Sequence, residues 1–154
     1  LTMETVDLLE VARECVERQK VNAKRSFISL TYLGESAPVL GSRSLLDELC
    51  QNLCDNAIRY NRPGGKVQII TACTRDGHCS LTVKDNGIGI PKEAQSSVFE
   101  RFYRVDKSRS KATGGTGLGL AIVKHIARIH NARIKLESEI GEGTTITVLF
   151  ETAH

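Results

Sequence analysis

Residues 78–90, HCSLTVKDNGIGI, combine the pattern of a β-strand with an unusual end. Apolar and polar residues alternate, so that Leu81, Val83 and Asp85 face the same side of the predicted strand. Leu81 and Val83 are expected to enter the core, which places the Asp85 carboxylate on the inward face at the end of the strand. Two glycines follow at once. Because a buried carboxylate is costly unless a donor meets it, this segment favours a binding site at the end of the strand.

The flanking sequence predicts helices and strands on both sides of this segment. Helical spacing covers about residues 6–21, and a longer helix runs from a cap at Ser42 or Ser44 to a stop at Pro63. A third helix covers residues 117–131, and strand patterns cover residues 27–33, 66–73, 78–85, 132–139 and 144–151. TRDG and IGEG are hairpin turns. These elements predict an α+β fold, with about five strands covered on one face by three helices.

Length and composition limit the classes of function. The 154 residues are 40% hydrophobic and 25% charged, which is typical of a single globular domain, here residues 1–154. We find no apolar run long enough for a transmembrane helix and no signal peptide. The net charge of +3 is too small to indicate nucleic-acid binding. Because the chain begins with Leu1, we expect it to be a domain of a longer protein.

The cysteines give no sign of a metal site. There are five of them, without a CxxC pair or interleaved histidines, at Cys15, Cys50, Cys54, Cys73 and Cys79. All fall in predicted helices or strands, where a free thiol behaves as a small apolar group. We therefore expect a reducing compartment, with neither disulfides nor zinc.

A long connection, at about residues 91–116, lies between the strand that ends at Asp85 and the third predicted helix. It holds a short possible helix, the aromatic segment VFERFYR, and a basic run. Between Phe99 and Lys111 there are five basic and two acidic residues. Such a run is usually a solvated loop, but a connection of this length is more often a lid or a binding loop than a plain linker.

The long second helix carries two unusual asparagines. Asn52, Asn56 and Arg59 follow one another at intervals of one helical turn along the border of the buried stripe. Asparagine is unfavourable within a helix because its amide competes for backbone hydrogen bonds. Chance surface polarity is one explanation. The other is Mg²⁺ binding through the amide oxygens, with Arg59 balancing phosphate charge.

The segment GGTGLGLAIVK indicates an anion site. Its glycines directly precede a helix, where unpaired N–H groups and the positive end of the dipole attract a phosphate. A dinucleotide-binding fingerprint requires a strand before the glycines, and here KSRSKAT precedes them. The Gly-Lys-Ser/Thr ending of a P-loop is also absent.

Asp85 can be explained by the same ligand. The exocyclic amine of adenine is a donor, whereas guanine presents an oxygen at that position, so a carboxylate would select adenine. Gly87 and Gly89 would let the backbone approach the flat ring. The alternative is an aspartate that merely caps a tight turn.

Four segments in order, NLCDNAIRY, DNGIGI, FERFYRVD and GGTGLGLAIVK, resemble the motifs of the catalytic, ATP-binding domain of bacterial sensor histidine kinases. That family belongs to the superfamily of gyrase, the large heat-shock chaperone and the mismatch-repair ATPases. The resemblance covers nearly the whole chain. It implies a two-layer α/β sandwich whose ATP site lies between long helices and a flexible lid, with ATP and Mg²⁺ as cofactors.

The resemblance also implies roles for particular residues. Asn56 is similar to the principal Mg²⁺ ligand, and Asn52 to its companion near the phosphates. Arg59 and Tyr60 resemble residues that touch the nucleotide, and Asp85 resembles the adenine-binding aspartate. Nucleotide-binding residues are further expected at Gly87, Gly89, Ile90, Phe102, Gly115, Thr116, Gly117, Leu118 and Gly119, with Phe99 in the phenylalanine motif. In the lid, Arg104 or Lys107 would reach the γ-phosphate, so that the expected catalytic residues are Asn52, Arg104 and Lys107.

Asn52 also bears on the type of reaction. The ATP-hydrolysing relatives and the related serine kinases look alike in having a glutamate four residues before the asparagine that binds magnesium. That glutamate acts as a general base. An amide cannot accept a proton at neutral pH, so transfer to a histidine is favoured over hydrolysis. Glu48 and Asp55 keep hydrolysis open as an alternative. A module that binds ATP without transferring phosphate is a third possibility.

The resemblance finally implies the partners. None of His78, His125, His130 and His154 lies in a pattern like the family's phosphoacceptor motif, and we expect ordinary surface or core histidines. The acceptor would therefore belong to a separate dimerisation domain, and the second partner would be a response regulator. We expect this domain to be the cytoplasmic part of a membrane sensor kinase and not to be membrane-bound itself. We also expect it to be monomeric and to have no nucleic acid as a partner.

Overall fold

The computed structural model of the chain describes residues 2–100 and 119–151. Within them, helices α1, α2 and α3 cover Leu8–Arg25, Arg43–Arg59 and Gly119–Ile129. A short 3₁₀ helix covers Lys92–Ala94. The strands β1 to β7 cover Glu4–Asp7, Ser29–Gly34, Pro38–Gly41, Lys66–Cys73, Cys79–Asp85, Arg133–Glu139 and Gly143–Phe150.

Five strands form one mixed sheet in the order β2-β4-β5-β7-β6. β2 is parallel to β4, and the other neighbours are antiparallel. Asp85, the last residue of β5, is opposite Val67 on one side and Thr144 on the other. The end of the central strand is thus held between two neighbours.

One face of this sheet and the inner faces of the helices form the core. β4, β5 and β7 bury every second residue, as the alternation predicts. From the helices, the fully buried side chains include Leu8, Leu46, Leu49, Leu53, Val123 and Ile126. The predicted α+β fold with a five-stranded mixed sheet is therefore confirmed.

A second, two-stranded sheet was not predicted. β1 pairs with β3, and Val6 is opposite Val39, both buried. The prediction that a helix begins near residue 6 is therefore wrong by two residues. Asp7 sets the boundary because its Oδ1 accepts from Leu9 N at 3.0 Å, which caps α1, and from Ala37 N at 2.8 Å, which holds β3 beside it.

The predicted start of β2 at Phe27 is also wrong. Phe27 has φ +58° and ends α1, where Ile28 N donates to the carbonyl of Ala23 at 2.9 Å. This 6→1 hydrogen bond closes the helix before the strand begins at Ser29. The α1 helix is accordingly longer at its C-terminus than the predicted residues 6–21.

The expectation that the chain has no disulfide is contradicted. Cys73 and Cys79 are directly opposite each other at the turn end of the β4–β5 hairpin, with a Cα–Cα distance of 4.1 Å, and are joined by a disulfide. The hairpin register brings the two thiols together, and sequence spacing alone did not reveal this. Cys15, Cys50 and Cys54 are free and buried, as expected.

Among the described helices, none has the length and hydropathy of a membrane span.

Candidate functional site

α2 supplies the first wall of the site. Ser42 caps the helix by accepting from Leu45 N at 3.5 Å, which confirms the predicted cap. Asn52 and Asn56 are half-buried, one turn apart, beside the buried stripe. The Nδ2 of Asn52 is fully buried and has no hydrogen-bond partner among the described residues. Buried amides in native structures are nearly always hydrogen-bonded, so Asn52 Nδ2 is available to an acceptor that the described residues do not supply.

The charged neighbours of the asparagines are Arg59, Asp55 and Glu48. Arg59 forms an ion pair with Asp55, one turn earlier on the same helix, with 2.9 Å between Nη2 and Oδ2. Glu48 is exposed. Asp55 is engaged in this ion pair, and Asn52 lies four residues before Asn56 on the same helix.

Asp85 supplies the floor of the site. Its Oδ1 accepts from Gly87 N at 2.8 Å and from Thr144 N at 3.2 Å, whereas no donor from the described residues reaches Oδ2. Burial raises the pKa of Asp85, and the two backbone hydrogen bonds oppose that rise. The carboxylate is therefore held in one orientation with a single oxygen left to accept from a ligand.

Gly87 and Gly89 are required by the protein's own backbone. A Cβ on Gly87 would lie 2.5 Å from the carbonyl oxygen of Tyr60. Gly89 has φ +78°, and a Cβ there would lie 2.1 Å from the carbonyl oxygen of Glu139. The sequence analysis attributed both glycines to close approach of a ligand, whereas the structure gives close packing of the loop against α2 and β6 as a sufficient reason.

Polar contacts continue from Asp85 along the loop. Ile90 N donates to the Ser138 hydroxyl at 2.8 Å, and that hydroxyl is 2.8 Å from the hydroxyl of Thr144. Gln95 Nε2 donates to the carbonyls of Ile90 and Ser138 at 3.0 and 3.1 Å. Residues 85–90 and the start of the predicted lid are thus fastened to β6 and β7.

An apolar cluster lies under the start of the predicted lid. Ile90, Ala94 and Val98 are buried together. The partly buried side chains that pack against them are Phe99, Leu120 and Leu136. The cluster joins the lid base to α3 and β6, so Ile90 is part of the packing beneath the site.

The other wall begins at α3. Gly119 is its first described residue, and a Cβ there would lie 3.9 Å from Asn52 Oδ1, so the asparagine faces the start of α3. The remaining predicted site residues lie outside the described residues: Phe102, Arg104, Lys107, Gly115, Thr116, Gly117 and Leu118.

His130 links the two walls. It is buried, its Nδ1 donates to the carbonyl of Ile126 at 2.8 Å, and its Nε2 accepts from Ser42 N at 3.1 Å. This histidine therefore has a structural role, as expected.

Four residues near the site were missed by the sequence analysis. Thr144 orients Asp85, and Asn61 and Asn86 hydrogen-bond to each other and to Lys66. Arg62 reaches three backbone carbonyls. The only signal in the sequence was their proximity to Asp85 or to the end of α2, because the contacts form between distant segments.

Known proteins are similar to this chain in sequence and fold. Residues 41–154 match the family model "Histidine kinase-, DNA gyrase B-, and HSP90-like ATPase". The sensor-like histidine kinase SenX3 of Mycolicibacterium smegmatis is 49% identical over 150 residues, which cover 95% of this chain and 38% of the relative. This chain therefore spans well under half of the length of that curated relative.

Solved structures agree with the sequence match. The mycobacterial sensor histidine kinase MprB is 33% identical, with a TM-score of 0.82 and 97% of each chain covered. Full-length ShkA in complex with AMPPNP is 25% identical, with a TM-score of 0.83, and the match covers 99% of this chain and 32% of ShkA. The chain belongs to the histidine kinase-, DNA gyrase B- and HSP90-like ATPase family, and its relatives there are sensor histidine kinases.

Proposed function

We propose that this chain binds Mg²⁺-ATP and transfers the γ-phosphoryl group to a histidine on a separate dimerisation domain of the same protein. The observation that carries the choice of reaction is Asn52. It occupies the position of the general base, and its Nδ2 is buried without a partner among the described residues. An amide donates to a phosphate oxygen but does not deprotonate water, which favours an acceptor with its own nucleophilic nitrogen.

The adenine is assigned to Asp85. Its free Oδ2 would accept from the exocyclic amine, while Oδ1 remains bonded to Gly87 N and Thr144 N. The triphosphate would then extend towards Asn52 and the start of α3, where Gly119 lies beside Asn52 Oδ1. Arg59 and Tyr60 are proposed to line the nucleotide from the end of α2.

The residues present fit Mg²⁺ as a partner of the phosphates. Mg²⁺ prefers oxygen ligands and retains several waters, so amide oxygens from Asn56 and Asn52 would suffice together with phosphate oxygens. No group of three His, Cys, Asp or Glu side chains in the described ranges could hold a metal ion. When bound, Mg²⁺ neutralises charge on the β- and γ-phosphates.

Phosphoryl transfer requires positioning and charge neutralisation more than covalent chemistry. The positively charged side chains of Arg104 and Lys107 are proposed to neutralise the γ-phosphate. Phe102 is proposed to pack near the nucleotide. The glycine segment Gly115, Thr116, Gly117 and Leu118 would present backbone N–H groups to the phosphates. These roles are inferred from the sequence alone.

The partners follow from the same proposal. The acceptor would be the dimerisation domain, and a response regulator would receive the phosphoryl group from it. We further propose that the parent is a membrane sensor kinase with this domain on the cytoplasmic side.

The test mixes the domain with γ-labelled ATP and a separately made helical acceptor domain. Acid-labile label on a histidine of the acceptor is the expected result. Tight ATP binding without label would instead indicate a nucleotide-sensing module, and release of labelled phosphate without labelled protein would indicate an ATPase. The Asn52→Asp variant is a control, because a carboxylate at this position should increase hydrolysis relative to transfer.

A further inference from the structure

We propose that Arg62 is a positioning residue that holds the adenine-binding loop, residues 85–90, in the conformation that orients Asp85. The proposal rests on the proposed function, because it assigns Asp85 to the base. Arg62 lies just beyond α2, outside the segments that suggested the site, and touches no expected ligand.

The contacts of Arg62 join two segments that are distant in sequence. Its Nη2 donates to the carbonyl of Gly87 at 3.0 Å and to the carbonyl of Gly141 at 3.0 Å, with Asn86 O at 3.5 Å. Gly87 belongs to the adenine-binding loop, and Gly141 belongs to the turn between β6 and β7. A single cationic nitrogen therefore bridges both segments to the end of α2.

Backbone hydrogen bonds follow the same route. Ile88 N donates to the carbonyl of Tyr60 at 3.1 Å, and Gly141 N donates to the carbonyl of Ile88 at 2.9 Å. The end of α2, the loop and the turn thus form one layer, in which Arg62 supplies the side-chain bond.

The consequence for Asp85 passes through Gly87. The N–H of Gly87 donates to Asp85 Oδ1, while its carbonyl accepts from Arg62. The orientation of this one glycine therefore sets both bonds. Loss of the guanidinium would free the Gly87 carbonyl and loosen the bond that fixes the carboxylate.

Arg62 is solvent-exposed, so its removal should not disturb the core. Arg62→Ala should remove the part-buried hydrogen bond to Gly87 O and the exposed one to Gly141 O, which predicts that ATP affinity falls about three- to tenfold. Contacts to the triphosphate should not change, because the hydrogen bonds of Arg62 go to Asn86, Gly87 and Gly141 and not to α2 or α3. Binding of inorganic tripolyphosphate is therefore expected to stay the same.

The experiment compares Arg62→Ala and Arg62→Lys with the unchanged protein. Arg75→Ala is the matched control: it removes the same charge from an exposed hairpin residue with no hydrogen bond or ion pair among the described residues. Calorimetry gives the affinities for ATP and for tripolyphosphate with Mg²⁺, and thermal denaturation gives Tm. We expect Arg62→Ala to weaken ATP alone, Arg62→Lys to restore part of the loss, and Arg75→Ala to bind as the unchanged protein does.

Amide hydrogen exchange in the nucleotide-free protein makes the two proposals separable. Faster exchange at Gly87, Ile88 and Gly141 in Arg62→Ala, with unchanged exchange in the β5 interior, supports the positioning role. Unchanged exchange at these amides, or equal weakening of ATP and tripolyphosphate with a lower Tm, would overturn it. If the unchanged protein binds no ATP, the proposed function fails, and the exchange data still decide whether Arg62 holds the loop.

Discussion

The substitution Asp85→Asn tests the adenine assignment most directly. Asn retains an oxygen that can accept from Gly87 N and Thr144 N, so the loop should keep its conformation. The free Oδ2, however, becomes an NH₂ group. A donor would then face the donor amine of adenine, and the contact would be lost.

The magnitude follows from one hydrogen bond to a charged acceptor. Such bonds are worth about 1.5–3 kcal/mol, and an unsatisfied partner adds to the cost, so the Kd for ATP should rise by roughly 10- to 150-fold. Tripolyphosphate lacks the adenine that Asp85 is proposed to bind, so its affinity should be unchanged. Only the base-dependent part of the binding free energy is therefore expected to disappear.

The raised pKa of Asp85 adds a test by pH, in which folding stability and ATP affinity should change in opposite directions. The main cause of the rise is burial, opposed by the hydrogen bonds from Gly87 and Thr144. Since the pKa of Asp85 is higher in the folded protein than in the unfolded chain, the folded protein binds the proton more tightly. Folding stability should consequently increase as the pH falls through the folded pKa, relative to Asp85→Asn. ATP affinity should decrease over the same range, because the protonated oxygen no longer accepts.

Calorimetry with ATP and tripolyphosphate, and urea denaturation across the pH range, measure these quantities. Asp85→Asn should show neither pH effect. Unchanged ATP affinity in this variant, in a protein that remains folded, would refute the assignment of the base to Asp85. If folding stability and ATP affinity change with pH in the same way in the variant and in the unchanged protein, Asp85 is not the group that causes these changes.

Three further substitutions test the rest of the site and the core. Asn56→Ala should abolish the Mg²⁺ dependence of ATP affinity, measured by calorimetry with and without Mg²⁺, and a retained dependence would exclude Asn56 as a ligand. Gly89→Ala should cost about 1 kcal/mol or more from its positive φ alone, plus the clash with Glu139 O, so urea denaturation at wild-type stability would contradict the packing described. Leu53→Ala removes a side chain that is 1% exposed and should lower the free energy of unfolding by about 2–5 kcal/mol. A loss under about 1 kcal/mol would mean that the surrounding core side chains relax into the cavity.

Local patterns allowed much of the fold to be predicted. Strand alternation in β4, β5 and β7 and the cap at Ser42 are properties of neighbouring residues, and the structure agrees with them. The placement of Asp85 on the inward face also followed from period-two alternation. The family resemblance rested on four such local segments.

The boundaries of α1 and the second sheet could not be predicted in the same way. Val6 lies next to an apolar helical pattern, yet it pairs with Val39, more than 30 residues away. The helix starts where Asp7 can bond to both Leu9 and Ala37, and the second of these partners is set by the fold.

By itself, the sequence determined the elements, the face on which Asp85 lies and the family, because each depends on residue types at short spacing. Only the tertiary structure decided the Cys73–Cys79 disulfide, the backbone reason for Gly87 and the bridging contacts of Arg62. The physical reason is the same in each case. Pairing register, close backbone approach and side-chain hydrogen bonds to distant carbonyls exist only after the strands and helices have packed.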